Sequence, residues 1–163
     1  MAILKENPIT TAAFGVWWLK NINITKINDT ITNLTVAFIP YNGEYTLNTI
    51  PARLFIEVNS KKAADTTFAG VMNSLVTEVQ RQYSLKNGNP TINTFSVEIL
   101  NIMAQNPERP VAIFAKLKVN GQDKNLLITD TFALAGTDLT FATVLNNVIN
   151  ELGRQGKAAG KID

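Results

Sequence analysis

The chain has 163 residues, 45% of them apolar and 17% charged, with a formal net charge of +2. That length and apolar share suit one folded domain and exclude a disordered chain, while the weak positive charge permits contact with phosphate backbones without requiring it. Cysteine and histidine are both absent, which removes disulfides, thiolate metal sites, and the commonest general base and transition-metal ligand near neutral pH.

The opening Met1-Ala-Ile-Leu-Lys5 has no long apolar segment of the kind a secretory leader carries, and no apolar run approaches the ~20 residues of a membrane-spanning helix. Synthesis in a cytoplasm and no membrane partner are expected. Residue patterning predicts strands near 15–27, 31–41 and 50–58. Asn42-Gly43 is a hairpin-turn dipeptide, because both residues tolerate positive φ. A helix is predicted near 66–84, where Phe68, Val71, Met72, Leu75, Val76 and Val79 share one face and Asp65 or Thr66 is a natural N-cap. Lys86-Asn-Gly-Asn-Pro90 breaks regular structure and serves as a linker. Strands follow near 95–105, 110–119 and 124–133, with a second turn at Asn120-Gly121. The last helix is predicted near 138–154, with Phe141, Val144, Leu145, Val148, Ile149 and Leu152 on one face behind a cap at Thr137 or Asp138. From Gly153 onward Arg154, Lys157 and Lys161 stand among Gly and Ala, and residues 155–163 read as a flexible basic tail.

The two series of elements resemble each other residue by residue. Asp65, Thr67, Phe68, Ala69, Val71 and Asn73 recur 73 positions later as Asp138, Thr140, Phe141, Ala142, Val144 and Asn146, and Glu78 recurs as Glu151. Upstream, Asn23-Ile24 matches Asn101-Ile102, and Asn42-Gly43 matches Asn120-Gly121, at a spacing of 78. The change of spacing places five extra residues in the first copy, around Tyr45 to Pro51. The expectation is an α+β fold made by tandem duplication of a β-β-β-α unit: antiparallel sheets, two helices, a pseudo-two-fold axis, and a single domain of repeats 14–85 and 91–154. One such unit leaves a sheet face and a helix stripe uncovered, so each copy needs the other.

Few residues stand out as carriers of function. Adjacent residues of a strand face opposite sides, so Trp17 and Trp18 cannot both enter one core. One of them is free to anchor a protein interface or to stack on a base. Tyr41 and Tyr45, beside the extra segment, are candidate interface aromatics of the same kind. Lys20 and Lys26 share strand parity, as do Lys116 and Lys118, and with the tryptophans they form the candidate nucleic-acid set. Glu57, Asp65, Asp130 and Asp138 offer carboxylates for a divalent cation, but helix capping already accounts for Asp65 and Asp138. No serine has a histidine partner and no Gly-rich phosphate loop precedes a helix, so neither catalysis nor a cofactor is expected.

The opening third, Gly15-Val-Trp-Trp-Leu-Lys-Asn-Ile-Asn-Ile-Thr-Lys-Ile-Asn28 followed by Thr30 to Tyr41 and a closing Pro40-Tyr-Asn-Gly43, resembles the β-rich start of small tail and baseplate proteins of tailed bacteriophages. The resemblance covers about residues 1–58. It implies a non-enzymatic virion protein, made in the host cytoplasm and held in the particle by other virion proteins or by copies of itself. A second resemblance is topological: two sheet-then-helix repeats look like the Whirly and PC4-like folds that bind single-stranded DNA.

Overall fold

The computed structural model describes residues 9–11, 15–27, 30–41, 52–104, 111–128 and 139–161. Among these residues seven strands form: β1 (Ile9–Thr11), β2 (Gly15–Ile27), β3 (Thr30–Tyr41), β4 (Ala52–Glu57), β5 (Phe95–Ala104), β6 (Val111–Val119) and β7 (Gln122–Ile128). Three helices accompany them: α1 (Val58–Ala64), α2 (Thr66–Lys86) and α3 (Leu139–Ala158). The fold is α+β, as the residue pattern predicts. None of the described helices is long and apolar enough to cross a membrane.

All the strands lie in one antiparallel sheet of order β4-β3-β2-β5-β6-β7, with β1 paired to β2. The residue pattern leaves open whether the strands merge or stack as two sheets; β2 and β5 pair edge to edge, which satisfies both backbones and merges the two sets of strands. Their ladder runs Ile22↔Ile102, Asn23↔Asn101, Ile24↔Leu100. Each of these strands holds one extra residue against its hairpin partner. In β2 it is Lys20, between the pairs Leu19↔Phe38 and Asn21↔Ala37; in β5 it is Glu98, between Val97↔Leu117 and Ile99↔Lys116. Such bulges increase local twist and bend a strand over its core.

The core lies between one sheet face and the two long helices. Ile22, Ile24, Leu34, Val36, Phe38, Leu54 and Ile56 are buried from the first strands, and Val97, Leu100, Ile102, Ile113, Leu117, Leu126 and Ile128 from the later ones. From above, Phe68, Met72, Leu75, Val79 and Tyr83 of α2 and Phe141, Leu145, Val148, Ile149 and Leu152 of α3 complete the same cluster. Helical spacing puts each set on one stripe. The Asp65 carboxylate caps α2 by accepting from Phe68 N–H at 3.1 Å. The corresponding cap position Asp138 lies outside the described residues.

Three expectations are corrected. The third strand ends at Glu57, and Val58–Ala64 continues as a helix. Its Asn-Ser-Lys-Lys-Ala-Ala content favours a helix over a strand, and Glu57 accepts a hydrogen bond from Ser60 Oγ at 3.1 Å across the first turn. The count of helices is accordingly three among the described residues, against the expected two. Finally, residues 155–158 are no tail: α3 runs through Gly153 to Ala158, with Gly153, Gln155 and Gly156 buried. The glycines stay helical there, as small residues on a packed side.

The turn at Asn120-Gly121 forms as its residues predict, with φ of 52° and 81° and Val119 paired to Gln122. Asn120 also holds the segment that leads from the linker into β5. Its Oδ1 accepts from Asn93 N–H (2.7 Å) and Thr94 N–H (3.1 Å), while its Nδ2 donates to the Thr91 carbonyl (2.9 Å). The matching dipeptide Asn42-Gly43 lies outside the described residues.

Candidate interaction surface

Period-two alternation sends every second side chain to the sheet face opposite the helices. Register aligns those residues in rows across the strands. One row runs Phe55–Thr35–Asn23–Asn101–Phe114–Leu127 from β4 to β7. Its ends are open: Phe55 is 62% exposed and Leu127 is 53% exposed, while their neighbours in sequence, Leu54, Ile56, Leu126 and Ile128, are buried beneath the helices. Thr35 is exposed, and Asn23, Asn101 and Phe114 are half-buried. Arg53 and Glu57 flank Phe55 on β4, and Lys116 and Lys118 follow Phe114 on β6; all four are exposed. Large aliphatic and aromatic side chains kept in water beside amides and scattered charge are what a protein-contact surface holds.

The candidate residues from the sequence are spread across this sheet. Trp17 pairs with Ile9 and Pro40, Trp18 with Ile39, and Tyr41 with Val16, at one end of the β2–β3 ladder. Lys20 is the bulge residue, and Lys26 pairs with Ile31 at the other end of the ladder. Lys116 shares a row with Ile99 and Thr25, beside Lys26. At ~3.4 Å per residue, the backbone positions of Trp18 and Lys26 lie roughly 27 Å apart. The lysines at 26, 116 and 118 thus gather at one end of the strands and the tryptophans at the other. Tyr45 and the extra segment 46–51 lie outside the described residues, as does Asp130.

A second polar feature joins the helices, and it was only partly anticipated. Glu78 and Glu151, each 4% exposed, sit in the packed layer. Arg81 meets the Glu78 carboxylate with Nε and Nη2, both at 2.7 Å, and Gln82 Nε2 adds a third bond at 2.9 Å. The same bonds recur in α3, from Arg154 Nε at 2.8 Å, Arg154 Nη2 at 2.7 Å and Gln155 Nε2 at 2.7 Å to Glu151. A buried carboxylate is tolerable only when paired and hydrogen-bonded in this way. In α3 the arrangement also crosses to α2: Arg154 Nη2 and Gln155 Nε2 reach Asp65 Oδ2 at 2.7 and 3.1 Å. Arg154 and the Phe68 N–H hold the Asp65 carboxyl well below the usual carboxylate range. The recurrence of Glu78 as Glu151 is visible in the sequence; so is that of Arg81-Gln82 as Arg154-Gln155, the signal that would have found this clasp.

Each glutamate carboxylate is occupied by donors of its own helix, and Asp65 is engaged as cap and ion pair. No group of three or more His, Cys, Asp or Glu that would hold a metal ion occurs among the described residues. The enclosed cavities beneath α2 are lined chiefly by core side chains such as Ile24, Met72, Leu75, Val97 and Leu100. No protein family, no curated protein and no solved structure matches this chain.

Proposed function

We propose that this protein is a non-enzymatic structural subunit of a bacteriophage particle, a tail or baseplate component, which acts by protein–protein contacts through the sheet face opposite its helices. The observation that carries the reading is the row Phe55–Thr35–Asn23–Asn101–Phe114–Leu127, apolar at both ends and amide-rich at its centre. Sparse charge and the resemblance of residues 1–58 to phage tail proteins support the particle setting. The test is quantitative mass spectrometry of purified particles, in which the chain should occur at a fixed copy number; absence from intact particles would refute the reading.

The reading includes a doubled architecture, two βββα units related by a pseudo-two-fold axis through the Asn23↔Asn101 pair. Supporting it, the bulges Lys20 and Glu98 stand at matching places in β2 and β5. Leu54-Phe55-Ile56 and Leu126-Leu127-Ile128 repeat the order buried, exposed, buried. The two Glu–Arg–Gln sets agree bond for bond.

A second reading, single-stranded nucleic-acid binding of the Whirly or PC4-like type, rests on Lys116 and Lys118 lying exposed on the same face as Phe114. Aromatic side chains on a basic sheet are a stacking platform. Glu57 and the exposed Asp123 beside Lys118 weaken it. Anisotropy of a labelled oligonucleotide at low salt tests this alternative: binding that falls steeply with added salt favours it, and no binding ends it.

A further inference from the structure

We infer that β4 pairs along its free edge with β4 of a second copy of this chain, antiparallel and centred on Phe55, so that the two sheets join into one. Among the described residues β4 pairs only with β3. Among those residues its outer edge presents backbone donors and acceptors of the kind that recruit another strand.

The strand Ala52-Arg-Leu-Phe-Ile-Glu57 is complementary to itself. Reversed about Phe55, it sets Arg53 opposite Glu57 of the second copy, and Glu57 opposite the second Arg53. Leu54 meets Ile56, and Phe55 meets Phe55. Opposite charges and aromatic pairs directly across strands are favourable. The register is also selected by the faces. Arg53, Phe55 and Glu57 are exposed while Leu54 and Ile56 are buried, so a slip of one residue would set charged side chains against the core face of the other copy. A slip of two keeps the faces but loses both charge pairs.

A cleft runs beside Leu54, Phe55, Ile56 and Glu57, bounded by Ser60 and Lys61 of α1 and by Gln155, Ala158 and Ala159 at the end of α3. The other edge of the sheet differs. There Lys86 Nζ, at the end of α2, donates to the Leu127 carbonyl, and the positions two residues to either side of Leu127 are the uncharged Asn125 and Thr129. A contact of β4 with itself uses the same edge on both copies, so the association closes at two rather than growing into a fibre. This pairing does not rest on the particle reading; absence of the chain from particles would leave it standing.

The test is sedimentation of the full chain over a range from low micromolar to several hundred micromolar, for the wild type, Arg53→Glu and Glu57→Arg. The wild type should form a dimer. Each single reversal sets like charges against each other twice and should weaken association by roughly tenfold or more, while an equimolar mixture of the two variants should recover a heterodimer. Glu57 also accepts from Ser60, so a second measurement avoids that site. The chain has no cysteine, and Phe55→Cys should oxidise rapidly to a disulfide-linked dimer, whereas Leu127→Cys, at a comparably exposed position, should not. A wild type that stays monomeric, a dimer indifferent to both reversals, a mixture that remains monomeric, or equal cross-linking at the two positions would overturn the inference.

Discussion

Asn23 of β2 stands directly opposite Asn101 of β5 where the two sets of strands meet, and the ladder reads alike in both directions from that pair, with Ile22 against Ile102 and Ile24 against Leu100. A ladder that is its own mirror about one pair is what the proposed doubling expects, because an axis through the pair exchanges the strands. The bulges Lys20 and Glu98 lie equally far from it along their own strands.

If the two units are copies, both buried glutamates should be stabilising, with Glu151→Ala the milder change because Asp65 still accepts from Arg154 and Gln155. Glu78→Ala removes the shared acceptor of Arg81 and Gln82, and Glu151→Ala that of Arg154 and Gln155. Glu78→Ala should lower the free energy of unfolding by about 3 kcal/mol, near the low end for breaking a buried pair because the arginine left behind reaches water, and Glu151→Ala should lower it by less. Chemical denaturation checks this. A large loss for one and none for the other would contradict the doubling.

The clasp at Asp65 gives a pH dependence of defined sign. Its carboxyl is held below the ordinary range by Arg154 and the Phe68 N–H, so its stabilisation is fully present above the unfolded pKa of about 4 and drains away as pH falls below that. Asparagine keeps the capping oxygen and loses the charge. Asp65→Asn should therefore melt below the wild type at pH 7, and the difference should shrink as the pH is taken from 5 to 3. A difference that is constant or widens toward acid would refute the assignment.

Asn120 combines a left-handed backbone with three bonds to Thr91, Asn93 and Thr94. Asn120→Gly keeps the turn and loses the bonds, whereas Asn120→Ala loses both. The alanine variant should be the less stable by about 1 kcal/mol, the cost of a left-handed conformation for a residue with a Cβ. Equal stability in denaturant would show that the turn relaxes.

Much of this fold was legible in the residues. Helix spacing from Phe68 to Val79 and from Phe141 to Leu152, strand alternation in β2 and β6, and the Asn120-Gly121 turn each depend on local chemistry, and each lies where its pattern places it. What the residues left open or misplaced was non-local or ambiguous. The merger of the strands into one sheet depends on β2 meeting β5 across about 80 residues, which no local pattern encodes. Gly153 and Gly156 look like a helix end in sequence, yet burial against the rest of the molecule keeps them helical. The interaction row was hidden for the same reason: Phe55 and Leu127 become partners in a surface only once six strands are in order.

The central claim, that the sheet face opposite the helices seats this subunit in a particle, is tested most directly by comparing incorporation of wild type and Leu127→Lys into purified particles by quantitative mass spectrometry. Leu127 is exposed, so the variant should melt within a degree or two of the wild type. The account expects the wild type at a fixed copy number and the variant depleted at least tenfold. Equal incorporation of the two, or no wild-type chain in the particles, would contradict it.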